Sequence, residues 1–465
     1  MSAGIMTTLA ADKPALNTGA TAFMLISAAL VMVMTPGLAF FYGGMVRVKS
    51  VLNMLMMSFI SLGIITILWT LFGFSEAFGT DHGGLIGGTD WIGMRHIGLT
   101  ELWPSTGIPI YVFAVFQLMF AIITPALISG SLADRVKFTA WSLFITLWAI
   151  VVYFPIAHWV WGSDGWLAKL GVIDFAGGTA VHINAGAAGL GAILVTGKRV
   201  GFKKDPFRPH NLPLVMLGAG LLWFGWFGFN AGSWLNSDGV AAVVFTNTQV
   251  ATAAAMLGWL AYEKIRHGSF TTLGAASGAV AGLVAITPSC GSVSPLGAIA
   301  VGVIAGVICA WAVSLKYKFG FDDSLDVVGV HMVGGIIGSL LIGFLATGGV
   351  GQTAKGLFYG GGFGQLGKQA IGVTAVLFYS LIVSAILAKL IDLVMGFRVT
   401  EDDEVAGIDQ IEHAETAYDY AGIGSAARNS LATVLSSGPT DETSKETPKE
   451  TPKAPEADTA TKVEA

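Results

Sequence analysis

From near Thr21 to Arg398 the chain runs as a series of apolar stretches separated by short polar segments. Each is about twenty residues long, the length an α-helix needs to cross a bilayer, and about eleven fit. Strands are not needed to explain them. The first stretch, about Ala20 to Phe41, lacks a basic region before it and carries Arg47 and Lys49 after it, so it reads as a retained span, not a cleaved signal peptide. The last lies at about Gln369 to Phe397. The expected fold is an all-α integral membrane protein.

Polar punctuation inside these stretches repeats. Val181-His182 and Val330-His331 each open the run V-H-x-x-x-G-x-x-G, in the fifth and tenth spans, and Ile123-Thr124-Pro125 in the third is echoed by Ile286-Thr287-Pro288 in the eighth. Both pairs are displaced by five helices. Five is odd, so the second set crosses the membrane opposite to the first: an inverted repeat of five plus five helices with an additional C-terminal helix. Short patterns such as I-T-P also recur by chance, and the longer histidine pattern is harder to attribute to chance. Gly186, Gly189, Gly335 and Gly338 stand at helical spacing beside the histidines, where small residues let helix backbones approach.

Composition sharpens the class. Hydrophobic residues are 54% and charged residues 12% of the 465, with mean hydropathy +0.70. With the N-terminus outside, the cytoplasmic loops receive Arg47, Lys49, Arg135, Lys137, Lys198, Arg199, Lys203, Lys204, Arg208, Lys264, Arg266, Lys316 and Lys318. The opposite side holds Lys13, Arg95, Lys169, Lys355 and Lys368. The asymmetry follows the positive-inside rule and places the C-terminus in the cytoplasm of a multi-pass protein of the cell membrane. The net charge of −5 divides unevenly: from Glu401 onward there are fifteen Asp/Glu and five Lys/Arg, leaving the membrane part basic. We therefore expect an extracytoplasmic N-terminus at 1–19, a membrane domain at 20–398, a polar and irregular region at 399–430, and a disordered acidic Pro/Thr-rich tail at 431–465. Two cysteines, Cys290 and Cys309, offer neither a disulfide framework nor a metal site.

An ionisable group in hydrocarbon is costly and by default marks a path or a site. His182 and His331 have three readings. No Cys, Asp or Glu lies at ligand spacing in their helices, which weighs against a metal. They fit hydrogen-bonded core histidines, or the lining of a narrow path in which one imidazole donates to the other and a remaining nitrogen faces a small solute. Asp174 leads through Gly177-Gly178 into the fifth span; it either attracts a cation or caps the turn. Aromatic residues form a third group: Phe116 and Phe120 on one helical face, Trp226 to Ser233 at the end of the sixth span, and Trp161 after His158 at the outer end of the fourth. Such residues commonly anchor or pack a span. Beside a hydroxyl and above two buried histidines, their faces also make a site for a small cation. An intramembrane enzyme lacks a nucleophile and base at recognisable spacing.

D-F-A-G-G-T-A-V-H-I-N-A-G (Asp174 to Gly186), G-W-F-G-F-N-A-G-S (Gly225 to Ser233), A-G-L-V-A-I-T-P (Ala281 to Pro288) and D-V-V-G-V-H (Asp326 to His331) resemble the ammonium transporter family, from about Thr21 to Tyr420. The resemblance implies an outer ammonium-recruitment site of Trp161, Phe120 and Ser233, a gate of Phe120 and Phe229, and twin pore histidines His182 and His331. Trp226 and Thr287 match positions near the pore, and Asp174 matches the acidic residue that supports recruitment and deprotonation. It further implies a homotrimer with one pore per subunit, ammonium or methylammonium as substrate, regulation by a PII-type signal protein, and no cofactor. Glu76 departs from the family, whose members more often have an apolar residue there; it either biases cation entry or is an exposed loop-edge carboxylate. The expected function is selective ammonium transport, with an ammonium sensor acting through a cytoplasmic partner as the alternative. The acidic extension, without a folded signalling domain, disfavours the sensor.

Overall fold

A computed structural model describes residues 15–418. The tail at 431–465 and the first fourteen residues lie outside the described residues. Among the described residues, ten helices are long and apolar enough to cross a membrane: α1 (Thr18–Met45), α2 (Val48–Phe78), α3 (Ile110–Leu132), α4 (Phe138–Leu170), α5 (Gly178–Thr196), α6 (Leu212–Gly232), α7 (Gly239–His267), α9 (Pro295–Phe319), α10 (Val328–Leu345) and α11 (Gly364–Met395). The shorter apolar helix α8 (Thr272–Ile286) brings the set to eleven. The protein is an all-α, multi-pass membrane protein of five plus five helices and a last helix. The first span runs a few residues beyond the stretch expected from hydropathy, and a polar side chain starts it: Asn17 accepts a hydrogen bond from Ala20 N at 2.9 Å.

Close backbone approach, not large side chains, brings the helices together. Along the α1–α6 contact, a Cβ added to Gly218 would stand 2.2 Å from Phe41 N, and one on Gly225 would stand 2.5 Å from Leu30 O. Small residues supply the intimate packing that the hydrophobic effect does not drive inside lipid. Pro125 in α3 cannot donate to residue 121, and the neighbouring Thr124 hydroxyl bonds the Phe120 carbonyl at 2.6 Å.

Four spans carry a π-helical turn: Trp69–Gly73 in α2, Ala149–Tyr153 in α4, Gly178–Ile183 at the start of α5 and Val328–Met332 at the start of α10. Such turns commonly sit at functional sites. The last two hold the histidines. Between α2 and α3 a small hairpin pairs β1 (Asp81–His82) with β2 (Ile86–Gly87).

The end of the bundle rich in basic residues closes on a buried ionic network. Arg199 grips Asp322 through Nε and Nη2, each at 2.9 Å, and Arg135 Nη2 donates to the Asp322 carbonyl at 2.7 Å. Burial works to raise the Asp322 carboxyl, but the Arg199 hydrogen bond and the charges of Arg135 and Arg199 outweigh it and hold it below the usual carboxylate range. Burial pushes the Arg135 guanidinium down to about 10.

The segment from Glu401, expected to be irregular, begins with two short helices, α12 (Glu401–Ala406) and α13 (Ile408–His413). Thr400 caps the first through Asp403 N, and four acidic residues fill its first turn, where the helix dipole favours negative charge. Carboxylates of the two helices also bond backbone elsewhere in the chain. Asp409 accepts from Leu52 N at 3.0 Å and Asn53 N at 2.8 Å, and Glu404 accepts from Val200 N at 2.8 Å.

Candidate functional site

The two histidines meet. His331 Nδ1 lies 3.3 Å from His182 Nδ1, with both side chains buried. One Nδ1 donates and the other accepts, so the neutral rings hold opposite tautomers: one offers a lone pair at Nε2, the other an N–H. His182 Nε2 has no hydrogen-bond partner among the protein atoms. The repeated glycines explain the approach. A Cβ on Gly186 would stand 2.6 Å from Met332 Cβ, and one on Gly335 would stand 2.8 Å from the Gly178 carbonyl oxygen.

Each histidine turn is capped by a carboxylate eight residues upstream. Asp174 accepts from the backbone N–H groups of Gly177 (2.9 Å), Gly178 (2.5 Å), Thr179 (2.8 Å) and Ala180 (3.0 Å), and from the Thr179 hydroxyl. Its lone pairs are consumed by the start of α5, the arrangement of a cap. On the other side, Asp323 Oδ2 accepts from Val328 N at 2.7 Å, while Oδ1 accepts from the Ser131 hydroxyl at 2.9 Å. Burial, foremost, pushes the Asp323 carboxyl up to about 6. Asp323 was missed from sequence, although the spacing D-x7-H shared with Asp174 and His182 was there to find it.

Aromatic rings lead up to the histidines. Trp161, Phe120 and Ser233 line one pocket, together with Gln117, Trp103 and Phe175, which sequence reasoning did not single out. The Phe120 and Trp161 rings meet edge to face, 5.9 Å apart at 84°. The Trp161 indole N–H donates to the Asp174 carbonyl at 3.0 Å, and the Ser233 hydroxyl donates to Phe229 O at 2.8 Å. Phe120 forms one wall of this pocket, and its ring centroid is 4.2 Å from that of Phe229. Phe229 in turn lines a second, apolar cavity with Trp226, His182, His331, Leu38 and Leu222. The Phe120–Phe229 pair thus stands between an aromatic pocket and a histidine-lined cavity.

Trp226 stacks beside His182, 5.3 Å between centroids at 21°. Thr287 lies behind it: the Trp226 indole N–H donates to the Thr287 hydroxyl at 2.8 Å, and that hydroxyl is 2.7 Å from the Leu283 carbonyl. Thr287 therefore fixes the indole and does not itself line the cavity. Asp174 and Glu76 line neither space. No group of three or more metal-ligating side chains occurs among the described residues.

Residues 22–418 match the model of the Ammonium Transporter Family. The chain is similar to an ammonium transporter of Mycobacterium tuberculosis, 58% identical over 432 residues covering 87% of this chain and 91% of that one. Among solved structures it is similar to Mep2 of Saccharomyces cerevisiae, with a TM-score of 0.76 and 34% identity over 83% of this chain and 91% of the other. It is also similar to a protein described as a sensor Amt protein, with a TM-score of 0.78 and 29% identity over 85% of this chain and 98% of the other. A family match across the whole helical bundle, carried by the segments that bring the aromatic rings and the two histidines together, means that this chain belongs to the Ammonium Transporter Family.

Proposed function

We propose that the chain conducts ammonium nitrogen selectively through the path formed by the aromatic pocket, the Phe pair and the histidine cavity. The observation that carries this reading is their order: Phe120 and Phe229 stand between the pocket of Trp161 and Ser233 and the buried His182–His331 pair. Ammonium sheds water against the faces of Trp161 and Phe120, with the Ser233 hydroxyl beside them, through cation–π attraction. Asp174 supports this pocket by holding the turn to which Trp161 is bonded. The proton is released near the Phe gate, because a bare cation in the apolar cavity is costly and ammonia is not. Ammonia then passes along His182 and His331, which offer it both a donor and an acceptor, with Trp226, held by Thr287, walling the cavity. Potassium has no proton to release and no hydrogen bond to donate, so chemistry as well as size excludes it.

The pocket faces outward in this reading. Arg135, Arg199 and Lys203 gather at the opposite end, and basic residues favour the cytoplasmic side. The homotrimer and PII-type partner implied by the family resemblance belong to the same reading.

Purified protein in liposomes, given an ammonium jump and followed by solid-supported-membrane current and internal pH, tests the proposal with a potassium jump as control. A saturable response to ammonium alone is expected, and His331→Ala should weaken it or its discrimination against potassium. Unchanged flux and selectivity in that variant would sink the histidine path. Likeness to a sensor Amt protein keeps a sensing reading in view. Ammonium binding with neither current nor pH change would move that reading to first place.

A further inference from the structure

The end of α4 is held by a clasp that the path above does not use. His158 precedes Trp161 by one helical turn and is buried, 1% exposed. Its Nδ1 lies 3.0 Å from the Ala77 carbonyl oxygen, and its Nε2 lies 2.8 Å from Asp81 Oδ1. The same Asp81 oxygen accepts from Gly84 N at 2.7 Å. A carbonyl oxygen and an ionised carboxylate only accept, so each nitrogen of the imidazole faces an acceptor. The pair is a charge-assisted hydrogen bond, the stronger kind. Asp81 sits outside the spans, and the hydrogen bond from His158 holds its carboxyl below the usual carboxylate range.

The hairpin bearing Asp81 grips α4 on both sides of Trp161. Ahead of it, the Trp159 indole N–H donates to the Leu85 carbonyl at 2.8 Å. Beyond it, Trp166 N donates to the Gly84 carbonyl at 3.1 Å. Between these points the chain turns hard against His158: Gly162 N donates to its carbonyl at 3.0 Å, and a Cβ on Gly165 would stand 1.9 Å from that oxygen. The turn that follows Trp161 is thus built on the His158 backbone, while the His158 ring is pinned to the hairpin.

We infer that His158 and Asp81 are positioning residues for ammonium capture, their charged clasp fixing the end of α4 so that the Trp161 ring is held in the aromatic pocket. The inference rests on the reading of that pocket as the capture site. Attraction of a cation to an aromatic face acts within about 6 Å of the ring centroid, so displacing the indole weakens capture. The cavity beyond the Phe pair is lined by other helices and keeps its shape. Loosening the clasp therefore raises the half-saturating ammonium concentration and spares the maximal rate, the pattern of lost ground-state binding.

Asp81 lies in a surface hairpin, so its variants spare the helical bundle. Ammonium-jump current and internal pH would be recorded against concentration for liposomes holding the wild type, Asp81→Ala, Asp81→Asn or Trp161→Ala. Asp81→Ala is expected to raise half-saturation about threefold to tenfold, less than the full worth of one charge-assisted hydrogen bond because the bond acts on capture through the Trp161 ring, with the maximal rate within about a factor of two. Asp81→Asn keeps an acceptor oxygen and should raise it less. If Trp161→Ala weakens capture and Asp81→Ala does not, the clasp is overturned and the capture site stands. If Trp161→Ala leaves half-saturation at the wild-type value, the capture reading falls and the inference with it. Equal loss of maximal rate in both Asp81 variants at unchanged half-saturation overturns positioning in favour of general damage.

Discussion

At the scale of single residues, the site is held by hydrogen bonds with few alternatives. The Trp226 indole N–H is buried and has the Thr287 hydroxyl as its partner. Thr287→Val keeps the volume and removes that acceptor, so thermal unfolding in detergent should show a loss of about 1–3 kcal/mol, the cost of an unsatisfied buried donor. Thr287→Ser should retain most of the stability. Asp322 makes a pH prediction. Its folded-state pKa is depressed, so its contribution is present above the unfolded value of about 3.9 and is lost as pH falls through the lower folded value. Thermal midpoints measured from pH 6 down to pH 3 should fall in the acid part of that range, and Asp322→Asn, already lacking the term, should start lower and fall less. Sequence pointed to Trp226 and Thr287 as neighbours of a path, but which one lines the cavity depends on side-chain direction. Thr287 turns its hydroxyl back to Leu283 and the Trp226 indole, and so stands behind the wall.

At the scale of the element, the histidine turns and their caps form the repeated unit. A π-helical turn carries each histidine, and a carboxylate eight residues earlier caps its N-terminal amides. The two caps differ in load: Asp174 takes four backbone N–H groups and a hydroxyl, whereas Asp323 takes one backbone N–H and one hydroxyl. Asp174→Ala should therefore abolish transport and lower the folded yield, while Asp323→Ala should cost about 0.5–2 kcal/mol, the worth of a single cap, and reduce flux partially. Transport by Asp174→Ala at the wild-type rate would remove the cap from the functional account. The glycine spacing beside the histidines was legible as a packing device. That Gly335 meets Gly178 at the opposite π turn was not, because one sequence names the small residue and not the partner that fills its place.

At the scale of the whole molecule, the C-terminal helices join the ends of several spans. Asp409 caps the start of α2, Glu404 holds Val200 and Arg398, and Glu412 accepts from Phe138 N at 2.8 Å at the start of α4. Asp409→Ala leaves Leu52 N and Asn53 N without that acceptor and should lower stability by about 0.5–2 kcal/mol, read as a reduced thermal midpoint. An unchanged midpoint would show that water replaces the carboxylate. The segment from Glu401 read as polar and irregular; its Asp409 and Glu412 carboxylates satisfy backbone donors at helix starts, a role that charge counting does not reveal.

Span number, the five-plus-five repeat and the residues worth watching follow from the sequence, because bilayer thickness sets span length and burial makes a lone histidine in an apolar helix conspicuous. What tertiary structure alone decided is which of those residues meet. The 3.3 Å approach of His182 and His331, the packing of the Phe120 ring against Phe229 and the clasp of His158 on Asp81 join residues 77 to 149 positions apart in the chain. Periodicity reports which face of a helix is apolar; the depth and rotation at which two helices lock depend on the glycines and side chains of both, and that is a property of the packed bundle.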